Sequence, residues 1–266
     1  MSDRYQAIMK HWFIRSHDRR PRTLRGHTAG VLMALWCGCV FSLVGASAQD
    51  VADGTYDDAA VLAELGDDDF QVRQTATRRL LTDDNLTQDD LDQLYVASQS
   101  IEQRHRLLRV TRHHVLRRMI LERFDQLAGT GSMGLSHQVV RIAAEGEEGR
   151  AGVMVVITLP GFPAYALLEP GDVIVDFDGT PIPDKMTPAT FQQLISRHQH
   201  GETIGLTVIR DGAYKPMQFR LGSGQALGEV YSTGGVVLNA PYQNQWFNTR
   251  TRMQALISED TQDPTD

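Results

Sequence analysis

The chain has 266 residues, 41% hydrophobic and 22% charged, which excludes a collagen-like, low-complexity or wholly disordered polymer and leaves room for one or two globular domains. Lys and Arg number 26 against 33 Asp and Glu, a formal net charge of −7. That sign disfavours a general phosphate-backbone binder, and no nucleic-acid partner is expected.

The charge is unevenly spread. Arg4, Lys10, Arg15, Arg19, Arg20, Arg22 and Arg25 crowd the start, followed by an apolar run from Val31 to Val44 and the small-residue site Ala46-Ser47-Ala48. A positive segment, a short apolar core and an A-x-A-like end read as a signal peptide over residues 1–48, giving an exported protein of the periplasm or cell envelope. An uncleaved N-terminal membrane anchor is the rival reading, because the positive segment is long. Both cysteines, Cys37 and Cys39, lie in the apolar run, so a processed chain has neither disulfide nor thiol chemistry. From Gln49 onward 19 basic residues face 31 acidic ones.

Residues 49–57 form a polar linker. A helical region is predicted over 58–127. Asp67 to Asp69 precede a helix with Val72, Ala76, Leu80 and Leu81 at helical spacing. Thr87 with Asp90, and Ser100 with Gln103, read as capping boxes. The Ser100–Leu127 stretch bears Arg104, Arg106, Arg109, Arg112, Arg117, Arg118 and Arg123, as one long helix or two. With Phe124 as the lone aromatic, this basic stretch reads as a solvated face paired with acidic clusters; contact with a membrane surface is the alternative. His113 and His114, being adjacent, point to different sides of a helix, so no metal site is expected there.

Residues 128–137 are rich in Gly and Ser and read as a flexible joint. Strand periods then take over. QVVRIAAE, AGVMVVITL and DVIVDF are predicted strands, PAYALL a helical turn, and TPATFQQLISRHQ a helix capped by Thr187 with Pro188 at its first position. TIGLTVIRDGAYKPMQFRL is a hairpin turning at Asp211-Gly212. Pro163 can open a helix without wasting an N–H, Gly171 permits a tight corner, and Asp172 can accept its N–H groups. Asp172, Asp176 and Asp178 are read as capping or solvated carboxylates rather than as a metal or acid–base cluster. Residues 223–266 form a C-terminal tail that could fold back over the sheet, and its acidic end reads as disordered.

The ordered set Pro163-Ala164, Leu168-x-Pro170-Gly171-Asp172-Val173-Ile174, Asp178-Gly179 and Val208-Ile209-Arg210-Asp211-Gly212 resembles a PDZ domain of the exported bacterial type, over about residues 137 to 222. The resemblance implies a small mixed β-barrel with two helices at 138–222. It also implies a groove that receives a peptide C-terminus or an exposed strand of another protein. On that resemblance the groove maps to Gly149, Arg150, Ala151, Gly152 and Val153 as a carboxylate nest, Met154, Val155 and Val156 as the strand edge, and Phe191, Leu194, Ile195 and His198 on the helix. Leu65-Gly66-Asp67-Asp68-Asp69-Phe70-x-Val72-Arg73 looks like one HEAT-type repeat, so the whole is expected to be multidomain: an all-α, HEAT-like region followed by the barrel.

No G-x-S-x-G elbow, Ser–Lys pair, H-E-x-x-H or P-loop is present, so the expectation is a non-catalytic adaptor with no metal or cofactor. A structural subunit whose groove is occluded or self-paired is the alternative.

Overall fold

The computed structural model describes residues 57–260 apart from 126, 128, 143–148 and 233–236. The expected signal peptide or anchor, nearly all of the linker and the acidic end beyond 260 lie outside the described residues. Among the described residues no helix is long and apolar enough to cross a membrane.

Short polar side chains start each of the first four helices. Asp57 caps α1 (Asp58–Leu65) and Asp69 caps α2 (Phe70–Thr82). Thr87 and Ser100 form reciprocal capping boxes on α3 (Gln88–Ala97) and α4 (Ile101–Phe124). With 24 residues and no internal Pro or Gly, α4 is one unbroken helix about 36 Å long. It is the axis of the helical region: α1, α2 and α3 pack on it.

The tail completes that bundle. Helix α7 (Gly224–Val230) packs on α4, and α8 (Ala240–Asp260) runs along α3 and α4, burying Met253 among Leu91, Leu94 and Leu107. The helices gather round one axis and are closed by a distant part of the chain. They are therefore a helical bundle rather than a serial stack of HEAT-type repeats. Each fully buried Leu contributes about 1.5–3 kcal/mol, so the first four helices owe their stability to this shared core more than to intrinsic propensity.

Between α4 and α7 the chain makes a β-rich excursion. Strands β2 (Leu135–Ile142), β3 (Arg150–Thr158), β4 (Val173–Phe177), β6 (Thr203–Arg210) and β7 (Ala213–Arg220) form an antiparallel sheet in the order β2-β3-β4-β6-β7, with the two-residue β5 (Thr180–Pro181) hooked onto β4. Asp211 and Gly212, at φ 54° and 77°, make the tight turn between β6 and β7. Helix α5 (Pro163–Leu167) lies against β7 and α6 (Pro188–Ser196) against β2. Val153, Val155, Ile174, Phe177, Phe191, Ile204, Leu206, Val208 and Phe219 fill the space between.

The expected barrel does not close. Among the described residues β2 pairs only with β3 and β7 only with β6, so the sheet keeps two edges. A helix stands at each edge where a barrel would need its first and last strands to pair. The ends of the excursion are tied separately: β1 (Gly131–Ser132) pairs with β8 (Gly222–Ser223) as a two-stranded ribbon. Within the stretch 128–137, residues 131–132 lie in β1 and 135–137 in β2.

Candidate functional site

An uncovered strand edge requires a strand with one neighbour. Strand β3 does not qualify. Val153 and Met154 pair with Val139 and Gln138 of β2 on one side and with Ile174 and Val173 of β4 on the other. Beyond β4, Val155 exchanges backbone hydrogen bonds with the 171–172 corner, donating to Asp172 O and accepting from Gly171 N–H, both at 2.8 Å. The slot expected beside Met154–Val156 is thus occupied on both flanks at Met154 and Val155.

The proposed nest at Gly149–Val153 is the start of the same interior strand. Ala151 N–H donates to Asp184 Oδ1, and Gly149 O accepts from Arg141 Nη1. Gly152 has a packing reason of its own, since a Cβ there would meet Ile142 and Val173 side chains at 2.6 Å.

The open edge belongs to β2. Its residues Leu135–Val140 are all half-buried, and α6 stands beside it with Phe191 and Ile195 in the core and Leu194 packed against that core. Of the residues named from the sequence here, Phe191 meets β2 through the His137 ring, Leu194 and Ile195 lie on α6, and His198 lies just beyond its end. His198 Nδ1 lies 2.8 Å from Glu202, and its ring lies 5.4 Å from that of Phe177. The hydrogen bond to His198, with a second from Gln199 N–H, holds the Glu202 carboxyl below the usual range.

Two links fix the width of this groove. At one end Gly131 N–H donates to His198 O at 2.7 Å, tying the end of α6 to the approach of β2. At the other, the His137 ring packs edge-on to Phe191 with centroids 5.0 Å apart, and its Nε2 lies 3.3 Å from Pro188 O. Burial depresses the His137 pKa, opposed by the Pro188 carbonyl. A β-bulge between Ser136 and His137 re-aims this segment.

The loop Ser132–Leu135 opens the groove. Gly134 has φ +72°, and a Cβ on it would fall 2.0 Å from Phe162 Cβ, so both conformation and space demand Gly. Its carbonyls turn inward: Met133 O accepts from Ala164 N–H and Gly134 O from Leu159 N–H. Ser132 Oγ accepts from Gly134 N–H at 3.2 Å. The signal in the sequence was the Ser-Met-Gly-Leu string, hidden inside a Gly/Ser-rich stretch.

The PGD corner is built by a partner that local reading missed. Asp172, 2% exposed, accepts Glu169 N–H as expected, but its carboxylate is gripped by Arg210 through Nε at 2.7 Å and Nη2. Asp176 and Asp178 accept backbone N–H groups of Gly179 and Gly205. Helix α5 ends at its C-cap Leu168, which is in extended conformation.

Six of the seven α4 arginines are engaged within the protein, whereas Arg112 Nε is buried with no hydrogen-bond partner among the described residues. Arg104 bonds Ser98, Arg106 bonds Glu102 and Thr77, Arg117 pairs with Asp84, Arg118 bonds Gln88 and Arg123 pairs with Glu229. Arg109 lies over the Tyr165 ring. Among the described residues no group of three or more His, Cys, Asp or Glu side chains is placed to hold a metal ion.

A family model described as PDZ domain matches residues 131–220. That stretch is a PDZ-type domain, a non-catalytic module, set beside a helical region. No curated protein matches the chain. Among solved structures, the chain is similar to "HtrA-type protease AlgW with decapeptide" at 24% identity, covering 35% of this chain and 29% of that one with a TM-score of 0.29. It is also similar to "HtrA-type protease AlgW with tripeptide" at 23% identity, covering 40% and 35% with a TM-score of 0.30. The chain thus spans about a third of the length of these structures.

Proposed function

We propose that the PDZ-type domain takes an extended peptide as an added strand along β2, between β2 and α6, and that the protein serves as an adaptor for another protein. The observation that supports this most is the free edge of β2, with no chain segment among the described residues laid over it. The tail, from α7 to α8, packs on the helical bundle instead. Added strands gain affinity from backbone hydrogen bonds and selectivity from side-chain pockets. The loop Ser132–Leu135, whose Met133 and Gly134 carbonyls are tied to Ala164 and Leu159, is the seat for a terminal carboxylate, which would take over the Gly134 N–H now held by Ser132 Oγ. Leu194 and His198 border the site of the last ligand side chain, which favours an apolar one. The Arg4–Ala48 segment supports placing this adaptor outside the cytoplasm, in the cell envelope.

The test uses the full chain and fluorescein-labelled decapeptides with an apolar last residue, free or amidated at the C-terminus. Fluorescence anisotropy is expected to show binding of the free form and at least tenfold weaker binding of the amidated form. Leu194→Arg is expected to weaken the free form about tenfold, ~1.4 kcal/mol, with the thermal unfolding midpoint retained. Equal binding of both forms would remove the carboxylate seat while sparing the strand edge. No binding by any peptide, together with a dimer in sedimentation, would favour a self-paired structural subunit.

A further inference from the structure

The β3–α5 turn, Pro160-Gly161-Phe162, is the floor under the Ser132–Leu135 loop. Phe162 packs against Gly134, Leu159 N–H holds Gly134 O at 2.9 Å, and Ala164 N–H holds Met133 O at 3.1 Å. The helical bundle clamps this turn from the other side. Gly161 N–H donates to Nδ1 of His113 on α4 at 3.0 Å, and Tyr231 O–H donates to Pro160 O at 2.7 Å. Gly161 has φ +87°, and a Cβ would come within 2.9 Å of Leu116 and Ile120, so the turn sits hard against α4.

We infer that His113 is a positioning residue for the peptide groove, holding the turn that seats the Ser132–Leu135 loop only while its Nδ1 is unprotonated, so that acid releases the turn and weakens ligand uptake. This rests on the reading of β2 as the peptide edge. Nδ1 accepts from Gly161, so the ring proton is on Nε2. A second proton on Nδ1 would face the Gly161 N–H, two donors with no acceptor between them.

The surroundings oppose that second charge. His113 is 2% exposed and stacked on Tyr165 at 5.4 Å. Burial first, then the positive charges of His114, Arg117 and Arg109 on the same helix, hold its pKa well below the usual His value. Arg112, also on α4, acts on Tyr231 of the other clamp. Across the neighbouring cavity of about 220 Å³ lie Asp84, already paired with Arg117, and Asp125, His200 and Arg220. His114 is buried too, its Nε2 bonded to Leu80 O at 2.7 Å.

The sign follows from linkage. The clamped state binds fewer protons than the released one, so the clamp is fully present above the free His pKa of about 6.5 and is lost as pH falls below it. At about pH 5 the released population rises by at most roughly thirtyfold.

Amide hydrogen exchange on the full chain, without peptide, tests this. Between about pH 7.5 and pH 5, protection of Gly161, corrected for intrinsic exchange, is expected to fall by up to roughly thirtyfold, with Leu159 and Ala164 following. His113→Asn, whose Oδ1 replaces Nδ1 as an acceptor that does not titrate, is expected to abolish this pH dependence. Tyr231→Phe is expected to lower protection at both pH values and leave the slope intact. Unchanged protection in the wild type, or the same slope in His113→Asn, overturns the inference. Should His113→Asn not fold, the wild type still decides: Gly161 protection must begin to fall below about pH 6.5 while the His113 ring ¹⁵N titration lies lower, and protection that stays flat down to about pH 5 overturns it.

The free-terminus decapeptide then provides a separate arm. Its affinity is expected to fall with the midpoint of the His113 ring titration, where the released state becomes the major one. A fixed affinity despite turn release breaks the link to the groove. Absence of any peptide binding defeats the groove reading while the amides still judge the turn.

Discussion

At the scale of single residues, the Asp172–Arg210 pair is the clearest example of chemistry set by contacts remote in sequence. Both side chains are buried, at 2% and 8% exposure, and the guanidinium also donates to Leu167 O. Removing one partner strands a buried charge. Arg210→Met is expected to destabilise the chain by about 3–5 kcal/mol in urea unfolding, whereas the pair itself is worth far less than that figure. Tyr231→Phe loses one neutral hydrogen bond and is expected to cost about 1 kcal/mol by the same measurement. Burial raises the Tyr231 pKa, so its donor persists through any ordinary alkaline range. Local chemistry was readable here in part. The Asp172 corner, Pro163 and Asp211-Gly212 were visible because they act on their own neighbours. Arg210 was not, because its target lies 38 residues away.

At the scale of elements, the capping boxes at Thr87 and Ser100 were legible for the same local reason. Ser100→Ala is expected to lower stability by about 1 kcal/mol. Which strand forms the sheet's edge was not legible from motif order. The two candidates nevertheless differ in composition. AGVMVVITL is apolar on both faces, the mark of a strand with neighbours on each side, whereas LSHQVVRI mixes polar and apolar residues and ends exposed at Arg141. The barrel expectation failed on similar ground: the number and order of strands permit closure, but α5 and α6 take the flanks. Helix α8 was invisible as a partner of α3 because its ridge carries few apolar residues. Met253→Ala is expected to cost about 2–5 kcal/mol, since that side chain fills the seam between α3, α4 and α8.

At the scale of the whole molecule, the helical region and the PDZ-type domain share cores. Ala166 joins the cluster of α1–α4, and Leu159 and Phe162 join Leu116, Ile120 and Phe124 of α4. Arg78 of α2 pairs with Glu169 at the corner beside Asp172. Heating is therefore expected to give one cooperative transition for residues 57–260, with calorimetric and van't Hoff enthalpies agreeing, instead of a separate melt for each part. An isolated 131–220 fragment leaves Phe162 and Ala166 without the helices that cover them. It is expected to melt lower than the full chain and to bind a hydrophobic dye.

The ribbon formed by β1 and β8 sets the order in which the chain can be finished. It brings Gly131 beside Ser223, so the domain leaves and rejoins the helices at one point. Helices α7 and α8 emerge from the ribosome after all of it. During synthesis α3 and α4 must wait with the flank reserved for Met253 bare, and the bundle is sealed only once α8 has been made.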